Sequence, residues 1–546
     1  MLGSCLQERE QSTAQEAQMH ATTTPSSPEQ VTKDMCEQMT KLTRTLANWM
    51  QDQPHTLADL EHHVVRLLKD LGASLIAQLC TLAVGTDLPD TIACACGHLA
   101  RFERFRPAQV TTLLGPVSFS RPYYLCSACA HGQHPLDEQL QFCAGSRSAA
   151  LDELLALLGA TQNSFAQAAE ILERLTLLHL APNTIRQATE QFGASLVAVQ
   201  TADHPPSGAR PHPTRPQPKR LYITFDGVFV HLRETGWSEL KLGCCYQTLT
   251  RPNPSKPQTS QIYAVNACYT TTLACSQEFG WQLWQQAVEN GVLAADEVVV
   301  VADGAHWIWN IAQKHFPQAI QIVDWYHASA YIWSAASAIW GETAAERTLW
   351  AEQQVERLWK GQVADVMREL EQRVECGEGV RAALSYYTTH QQRMDYATYR
   401  AQGLQIGSGS AESGCKQVVS ARLKGAGMRW SAAGAEAVAM ARAWLKSGRW
   451  DEGVARQPRR RRGYKRKQDC GGQHTKQDQQ QTEHDHAQKA KAQTSRGKTL
   501  GAELLAQVQT ELAEQRDKNV WANRRYPAPK QQRTDQTVVP TLTLAT

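Results

Sequence analysis

The sequence predicts an α/β protein built on a sheet covered on both faces. The sheet carries an all-helical insertion and is preceded by helical segments and a small cysteine-bearing β module. Three observations predict it. Strand-like and helix-like segments follow one another as β-β-β-α-β-α-β between residues 220 and 327. The later strands are largely apolar runs, Val298-Val299-Val300-Val301-Ala302 and Ile320-Gln321-Ile322-Val323, as a sheet covered on both faces requires. Two close cysteine pairs, Cys94/Cys96 and Cys126/Cys129, flank a stretch with β-like sequence.

Composition bounds the rest. The chain has 546 residues, enough for about three or four domains at roughly 150 residues each. Lys plus Arg number 56 and Asp plus Glu 53, giving a formal charge of +3 that excludes a histone-like or strongly acidic whole. With 42% hydrophobic and 20% charged residues the chain can bury a sizeable core. No apolar run approaches the 18 or more residues of a membrane span, and no charged n-region with an apolar h-region opens the sequence. Fifteen cysteines in such a chain fit reduced thiols and one metal site better than a disulfide framework. A cytoplasmic protein with no membrane partner is expected.

Residues 1–28 are Ser/Thr/Gln-rich and expected to be disordered. Residues 29–90 read as helical, with Leu57, Leu60, Val64, Leu67, Leu68, Leu71 and Leu75 at helical spacing. The cysteine module spans 91–136, with short strands at Val117–Ser120 and Tyr123–Leu125 around Gly115-Pro116. Residues 137–200 return to helix, broken at Pro182-Asn183. They fit either a helix-turn-helix that reads DNA or a plain packed pair. Six prolines between Pro205 and Pro218 mark a linker over 201–219. The catalytic candidate region is 220–327 with 403–450, interrupted by a helical insertion at 328–402. From 451 the tail is basic and expected to be largely disordered, apart from a short helix near residues 500–513.

Three acidic residues stand where β/α topology places active sites. Asp226 closes the first strand and Asp303 the fourth, each followed by a glycine that allows close backbone approach; Glu412 opens a helix after the Gly407-Ser408-Gly409-Ser410 loop. Carboxylates are hard oxygen ligands suited to Mg²⁺ or Mn²⁺. Two such ions can stabilise the attacking and leaving oxygens of a phosphodiester displacement. Against this, Asp-Gly is also a plain turn signal. Asp324-Trp325-Tyr326-His327 follows the fifth strand, with Asp324 and His327 on one face of a turn. A helix N-cap with a packed aromatic pair is the alternative.

Leu221–Val230, Val298–Ile311, the Asp324–His327 tetrad and the Gly/Ser loop leading to Glu412 and on to Arg422-Leu423-Lys424 and Arg429-Trp430-Ser431 together resemble the DDE transposases of bacterial insertion sequences. Within these, the chain is most similar to the ISKra-type members of the Mutator-like group, over roughly residues 90–450. The resemblance implies an RNase H-like catalytic core with a helical insertion. It makes Asp226, Asp303 and Glu412 the ligands of two Mg²⁺ or Mn²⁺ ions, with Asp324 and His327 an accessory catalytic motif. It further implies cleavage of double-stranded DNA at element ends and strand transfer to a target, by a homo-oligomer associated with the bacterial nucleoid. A metal-dependent nuclease without strand transfer, and a zinc-containing DNA-binding protein with a silent acidic triad, are the alternatives.

Two knuckles joined by a small sheet form a zinc ribbon, with Cys94, Cys96, Cys126 and Cys129 as a structural Zn²⁺ site. The family pattern shares the run Tyr123–Cys129 but has Cys-x-x-Cys where Cys94 and Cys96 stand, so His98, His131 or His134 is an alternative to Cys94. Free buried thiols are the plain alternative. Lys416, Arg422, Lys424 and Arg429 are expected on one helix and its exit, as phosphate contacts or as a solvated face. Arg459, Arg460, Arg461 and Arg462 lie among twelve residues, 456–467, of which eight are Lys or Arg; they read as a DNA tether or a soluble tail.

Overall fold

Two helices open the structure, α1 (Pro28–Asp52) and α2 (Leu57–Leu82). Thr56 caps α2 in a capping box with Asp59, worth about 1 kcal/mol. The predicted leucine stripe of α2 is not a closed core: Leu57 and Leu68 are exposed, and none of the helix's residues is fully buried. Its later turns instead lay Ala73, Ile76, Ala77 and Cys80 on the cysteine module. In this computed structural model the described residues are 27–457, apart from 53, 86, 203–217 and 254–255. Nearly all of the 1–28 segment, most of the linker, the Arg459–Arg462 cluster and the 500–513 helix therefore lie outside them. Contacts divide the chain into Met1–Arg462 and Gly463–Thr546, and every described residue belongs to the first unit.

The cysteine module is a four-stranded antiparallel sheet, β1 (Thr91–Ala93), β2 (Leu99–Thr112), β3 (Gly115–Cys126) and β4 (Gly132–Gln133), in chain order. Its middle is one long hairpin rather than the short strands read from sequence. Arg104 to Thr112 pairs without a break with Tyr123 to Gly115, so Gly115-Pro116 opens a strand instead of separating two. Helices α3 (Pro135–Gln139), α4 (Ala149–Thr161), α5 (Phe165–Thr176) and α6 (Pro182–Ala202) follow. Pro182 is the first residue of α6, where its missing amide costs nothing.

The second sheet has the order β7-β6-β5-β8-β9. β5 (Arg220–Leu232), β6 (Gly236–Asn253) and β7 (Lys256–Thr272) form an antiparallel meander; β8 (Glu297–Ala302) joins β5 in parallel and β9 (Ile320–Val323) joins β8 in parallel. Parallel neighbours need crossovers, and α7 (Ser276–Glu289) and α8 (His306–His315) supply them. Val299, Val300, Val301 and Ala302 have no solvent exposure, each valine stabilising the fold by about 1.5–3 kcal/mol. A helical layer follows: α9 (Trp325–Trp340), α10 (Ala345–Trp359), α11 (Val363–Glu371), α12 (Glu378–His390) and α13 (Tyr396–Ala401). The chain then returns through α14 (Gly409–Gly414), a π-helical turn (Cys415–Ser420), α15 (Ala421–Leu423), α16 (Ala432–Lys446) and α17 (Trp450–Ala455).

Helix α6 packs along α16, and Phe192, Leu196, Met440, Trp444 and Trp450 share one apolar cluster there. Gly193 makes the approach possible, since a Cβ at that position would run into the Ala437 carbonyl. Gly193→Ala raises intrinsic helix propensity by about 1 kcal/mol, yet is expected to destabilise by about 1–3 kcal/mol through overpacking. A urea midpoint lower than that of the wild type checks the sign, and a higher midpoint would remove the close approach as the reason for the glycine.

Candidate functional site

Register places the acidic residues at one level. Ile223 pairs with Val300 in parallel, so counting three residues along both strands brings Asp226 beside the position of Asp303. Ala302 pairs with Val323, which brings Asp324 level with Asp303 on the other side. Three carboxylates therefore stand in a row, just past the carboxyl ends of β8 and β9 and at the same level within β5. Asp226 does not close its strand as the sequence pattern predicts. β5 runs on to Leu232 as a ribbon with β6, beyond the level at which β8 and β9 end.

Glu412 reaches the row from α14. Gly414 on that helix sits against Leu242 and Tyr269, where a Cβ would come within 2.9 and 2.8 Å, and Leu242 is the β6 partner of Asp226. The groups feel one another. Partial burial, then the charge of Asp303 and less strongly that of Glu412, push the Asp226 carboxyl up to about 7; the Gly227 amide and His327 oppose this. Among the described residues these carboxylates are not gathered as tightly as the cysteines discussed below, whose ligand atoms all lie within 4.8 Å of one another.

Asp324 is fully buried and fully used. Its Oδ1 accepts the His327 amide at 2.8 Å and faces His327 Nδ1 at 3.0 Å, and its Oδ2 accepts the Ser408 amide in the Gly/Ser loop. Helix N-cap and accessory motif are thus the same residue. Burial works against ionisation of Asp324, but the bonds from His327 and Ser408 outweigh it and hold its carboxyl below the usual range. His327 is nearly half exposed, with 45% of its side chain accessible. Desolvation disfavours its charged form, yet the hydrogen bond and charge of Asp324, then Asp303 and Glu412, lift it to about 9.

The two glycines after the aspartates are needed for space. A Cβ at Gly227 would meet the Glu239 carboxylate, and one at Gly304 would meet the Tyr386 ring. Tyr386 stacks on Tyr331 at 4.0 Å between ring centroids, and the charge of Asp303 helps raise both phenols after desolvation. The helical insertion thereby supplies one wall of the site. Nothing in the sequence around Tyr386 signals this, because it lies more than eighty residues from Gly304, and the sequence around Tyr331 is equally silent.

Of the basic residues expected beside Glu412, Lys416, Lys424 and Arg429 are exposed. Lys424 lies close enough to lower the Cys415 thiol, which Asp226 and Glu412 raise after burial has done so. Arg422 does not belong with them. It is buried, its guanidinium 4.3 Å from the Phe165 ring and 5.0 Å from Trp430, and its Nε donates to the Gly159 carbonyl at 3.0 Å. The helix breaks after Leu423, so the four residues do not share one solvated face. Arg442, which no motif points to, is buried beside it and donates from Nε to the Val418 carbonyl at 2.7 Å and from its other nitrogens to the Gln417 and Ala160 carbonyls.

Cys94, Cys96, Cys126 and Cys129 come together as one group whose four sulfurs can hold a metal such as zinc. The Cys129 amide, then the neighbouring thiols Cys96 and Cys129, bring Cys126 down to about 6 against burial, the thiolate character that metal binding needs. The shortened first knuckle does not remove Cys94: its sulfur is 3.6 Å from Cys129 Sγ and 3.9 Å from His131 Nδ1. His98 Nδ1 lies 3.6 Å from Cys96 Sγ, while His134 Nδ1 is engaged at 3.2 Å by the Pro122 carbonyl.

Two outcomes follow from this geometry. The raised His327 contributes stability in full below its ordinary value of 6.5 and loses it as pH rises through about 9. In metal-free protein Asp324→Asn should return the imidazole midpoint toward 6.5, read from its NMR shifts; a midpoint still near 9 would clear Asp324 of that role. For the cysteine group, wild-type protein should carry one zinc per chain by thiol-displacement assay, and Cys94→Ser should lower zinc affinity by tenfold or more. Unchanged affinity would hand the fourth ligand to a histidine.

No curated protein matches the chain. A family model does, over residues 46–459, and its description is an uncharacterised protein family, UPF0236. That span runs from within α1 to just beyond α17 and takes in both the acidic row and the cysteine group, so the chain belongs to the UPF0236 family.

Proposed function

We propose that this protein is a DDE transposase, similar to the ISKra-type enzymes of bacterial insertion sequences, that cuts DNA at element ends and transfers the strand to a target. The observation that carries the reading is the level row of Asp226, Asp303 and Asp324 with Glu412 and His327 within electrostatic reach. A meander of three antiparallel strands extended by two parallel ones, with helices supplied by the crossovers and by the insertion, is compatible with the RNase H-like core that the resemblance implies. Membership of a family often found in transposase-like mobile-element proteins supports the same reading.

The donor set suits a hard divalent cation. Partly buried Asp226 is pushed up by a like charge on Asp303, a repulsion that a cation between them relieves. Asp226, Asp303 and Glu412 would hold Mg²⁺ or Mn²⁺, which when bound supplies charge stabilisation at the attacking and leaving oxygens and a more acidic water. The chain's own groups do the rest. His327 carries a proton at neutral pH and is open to solvent, so it can hydrogen-bond a phosphate oxygen or protonate the departing 3′ oxygen. Asp324 keeps the imidazole charged and aimed while anchoring the loop that leads to Glu412. Lys416, Lys424 and Arg429 offer exposed charge for the DNA backbone. No covalent protein intermediate is required, and an oligomer on two element ends follows from the joining step.

That the carboxylates are less tightly gathered than the cysteines favours a second reading, a zinc-containing DNA-binding protein whose acidic row is silent. Mg²⁺-dependent cleavage and joining of plasmid DNA carrying the element's flanking ends separates the two. Wild type should give cut and joined products, and Asp226→Ala and Glu412→Ala should reduce both to background. Cutting without joined products would make the protein a nuclease. Binding without cutting, in wild type and Asp226→Ala alike, would establish the second reading.

A further inference from the structure

We propose that the cysteine module carries a duplex-DNA phosphate-binding surface of its own, formed by Arg101, Arg104 and Arg106 on one end of its sheet. The register puts these side chains on one face. Arg101 pairs with Leu125, Arg104 with Tyr123 and Arg106 with Arg121, and a bulge between Phe102 and Arg104 absorbs Glu103, so the odd spacing from 101 to 104 still returns to the same side. Farther along that face Ala108, Val110, Val117 and Phe119 are covered by α2. The cover stops short of Arg106: Arg101 and Arg104 are exposed, and Leu125 beside them is partly open.

The charge on this end is not spent inside the fold. Arg121, the next residue inward, is buried against Asp137. Arg104 has Glu103 at 3.9 Å, an exposed pair that is worth at most about 1 kcal/mol. Among the described residues no ion pair involves Arg101 or Arg106, and the buried Nε of Arg106 has no hydrogen-bond partner. β1 covers β2 only from Leu99 to Arg101, so Arg101 sits on an inner stretch of the strand while Arg104 and Arg106 lie beyond it on an open edge.

The chemistry selects the occupant. The Arg106 guanidinium lies 3.4 Å above the Tyr123 ring, so the aromatic on this face is capped by charge and cannot serve as the stacking platform on which single strands depend. What remains is a row of forked cations matched to backbone phosphates, which needs no access to bases. Cys94 lies just after β1, Cys126 is the last residue of β3, and both belong to the four-sulfur group. A metal held there would pin the two strands that flank Arg101.

The test uses the full-length, zinc-loaded chain and an uncleaved 30-base-pair duplex without added magnesium, so its outcome does not depend on whether the acidic row is catalytic. Each phosphate contact contributes about 0.9 to the slope of log affinity against log salt. Arg101→Gln/Arg104→Gln should therefore flatten the slope by about 1.8, so that a fourfold rise in salt costs the variant about twelvefold less affinity than it costs wild type. Arg368→Gln/Arg381→Gln removes the same charge from exposed positions on the helical insertion and should leave the slope unchanged. A folded, zinc-loaded Arg101/Arg104 variant with the wild-type slope overturns the proposal. So does a slope that flattens on single-stranded RNA of equal length but not on the duplex, which would make the surface an RNA site. An equal change in the Arg368/Arg381 control would show that only net charge was being measured.

Discussion

A carboxylate with no access to water must find donors for both its oxygens, and the site is organised around the one that does. The Asp324 amide donates to the Ala302 carbonyl at the end of β8 at 2.8 Å, and its carboxylate holds the first turn of α9 by accepting the His327 amide and fastens the Gly/Ser loop by accepting the Ser408 amide. The adjacent Trp325 amide reinforces the last of these by donating to the Ile406 carbonyl at 3.0 Å. Strand, insertion and returning loop therefore meet at one residue. Removing it would free the element that carries Glu412 and leave His327 without its countercharge.

Two buried arginines do the corresponding work for the chain that follows Glu412. Among the described residues Arg422 and Arg442 have no carboxylate partner; the hydrogen bonds they make go to carbonyls at the end of α4 and in the π-helical turn after α14. A π-helical turn widens the ladder and loosens its carbonyl pairing, and a guanidinium with five donors can collect what is released. The cost is visible in Arg422, whose ionisation burial and the neighbouring Arg442 pull down to about 10. The helical segment before the sheet and the helix bearing Glu412 are thereby held as one piece.

Charge in this chain is segregated rather than abundant. A formal charge of +3 hides basic residues at the open end of the cysteine sheet and beside Glu412, set against a row of carboxylates in which burial and then the charge of Asp303 push the Asp226 carboxyl up. The folded state holds the Asp226 proton from its ordinary value of 3.8 to about 7, so this group withdraws stability from metal-free protein as pH rises across that window. Like charges brought together at such a cost mark a site rather than a scaffold.

Much of this was legible before any coordinates. The alternation of elements from Leu221 to Val323, the helical run after Ala328 and the cysteine pairs all rest on local chemistry: apolar period, β-branched runs and ligand spacing. Asp226, Asp303, Asp324 and Glu412 could be picked out as well, because each stands at the edge of a local pattern. What local pattern cannot carry is register between strands and the fate of a charge once its neighbours arrive. Arg422 reads as a phosphate contact until Phe165 and Trp430, far away in the chain, close over it. Arg442, Tyr331 and Tyr386 carry no sequence signal, since their roles depend on carbonyls and rings supplied by other elements. The row of Asp226, Asp303 and Asp324 exists only because the register of three parallel strands sets them at one level, where β8 and β9 stop and β5 runs on. Sequence by itself determined which side chains were available; the pairing of the strands and the burial around them decided which of those meet, because distance and desolvation, not residue type, set what a charged group can do.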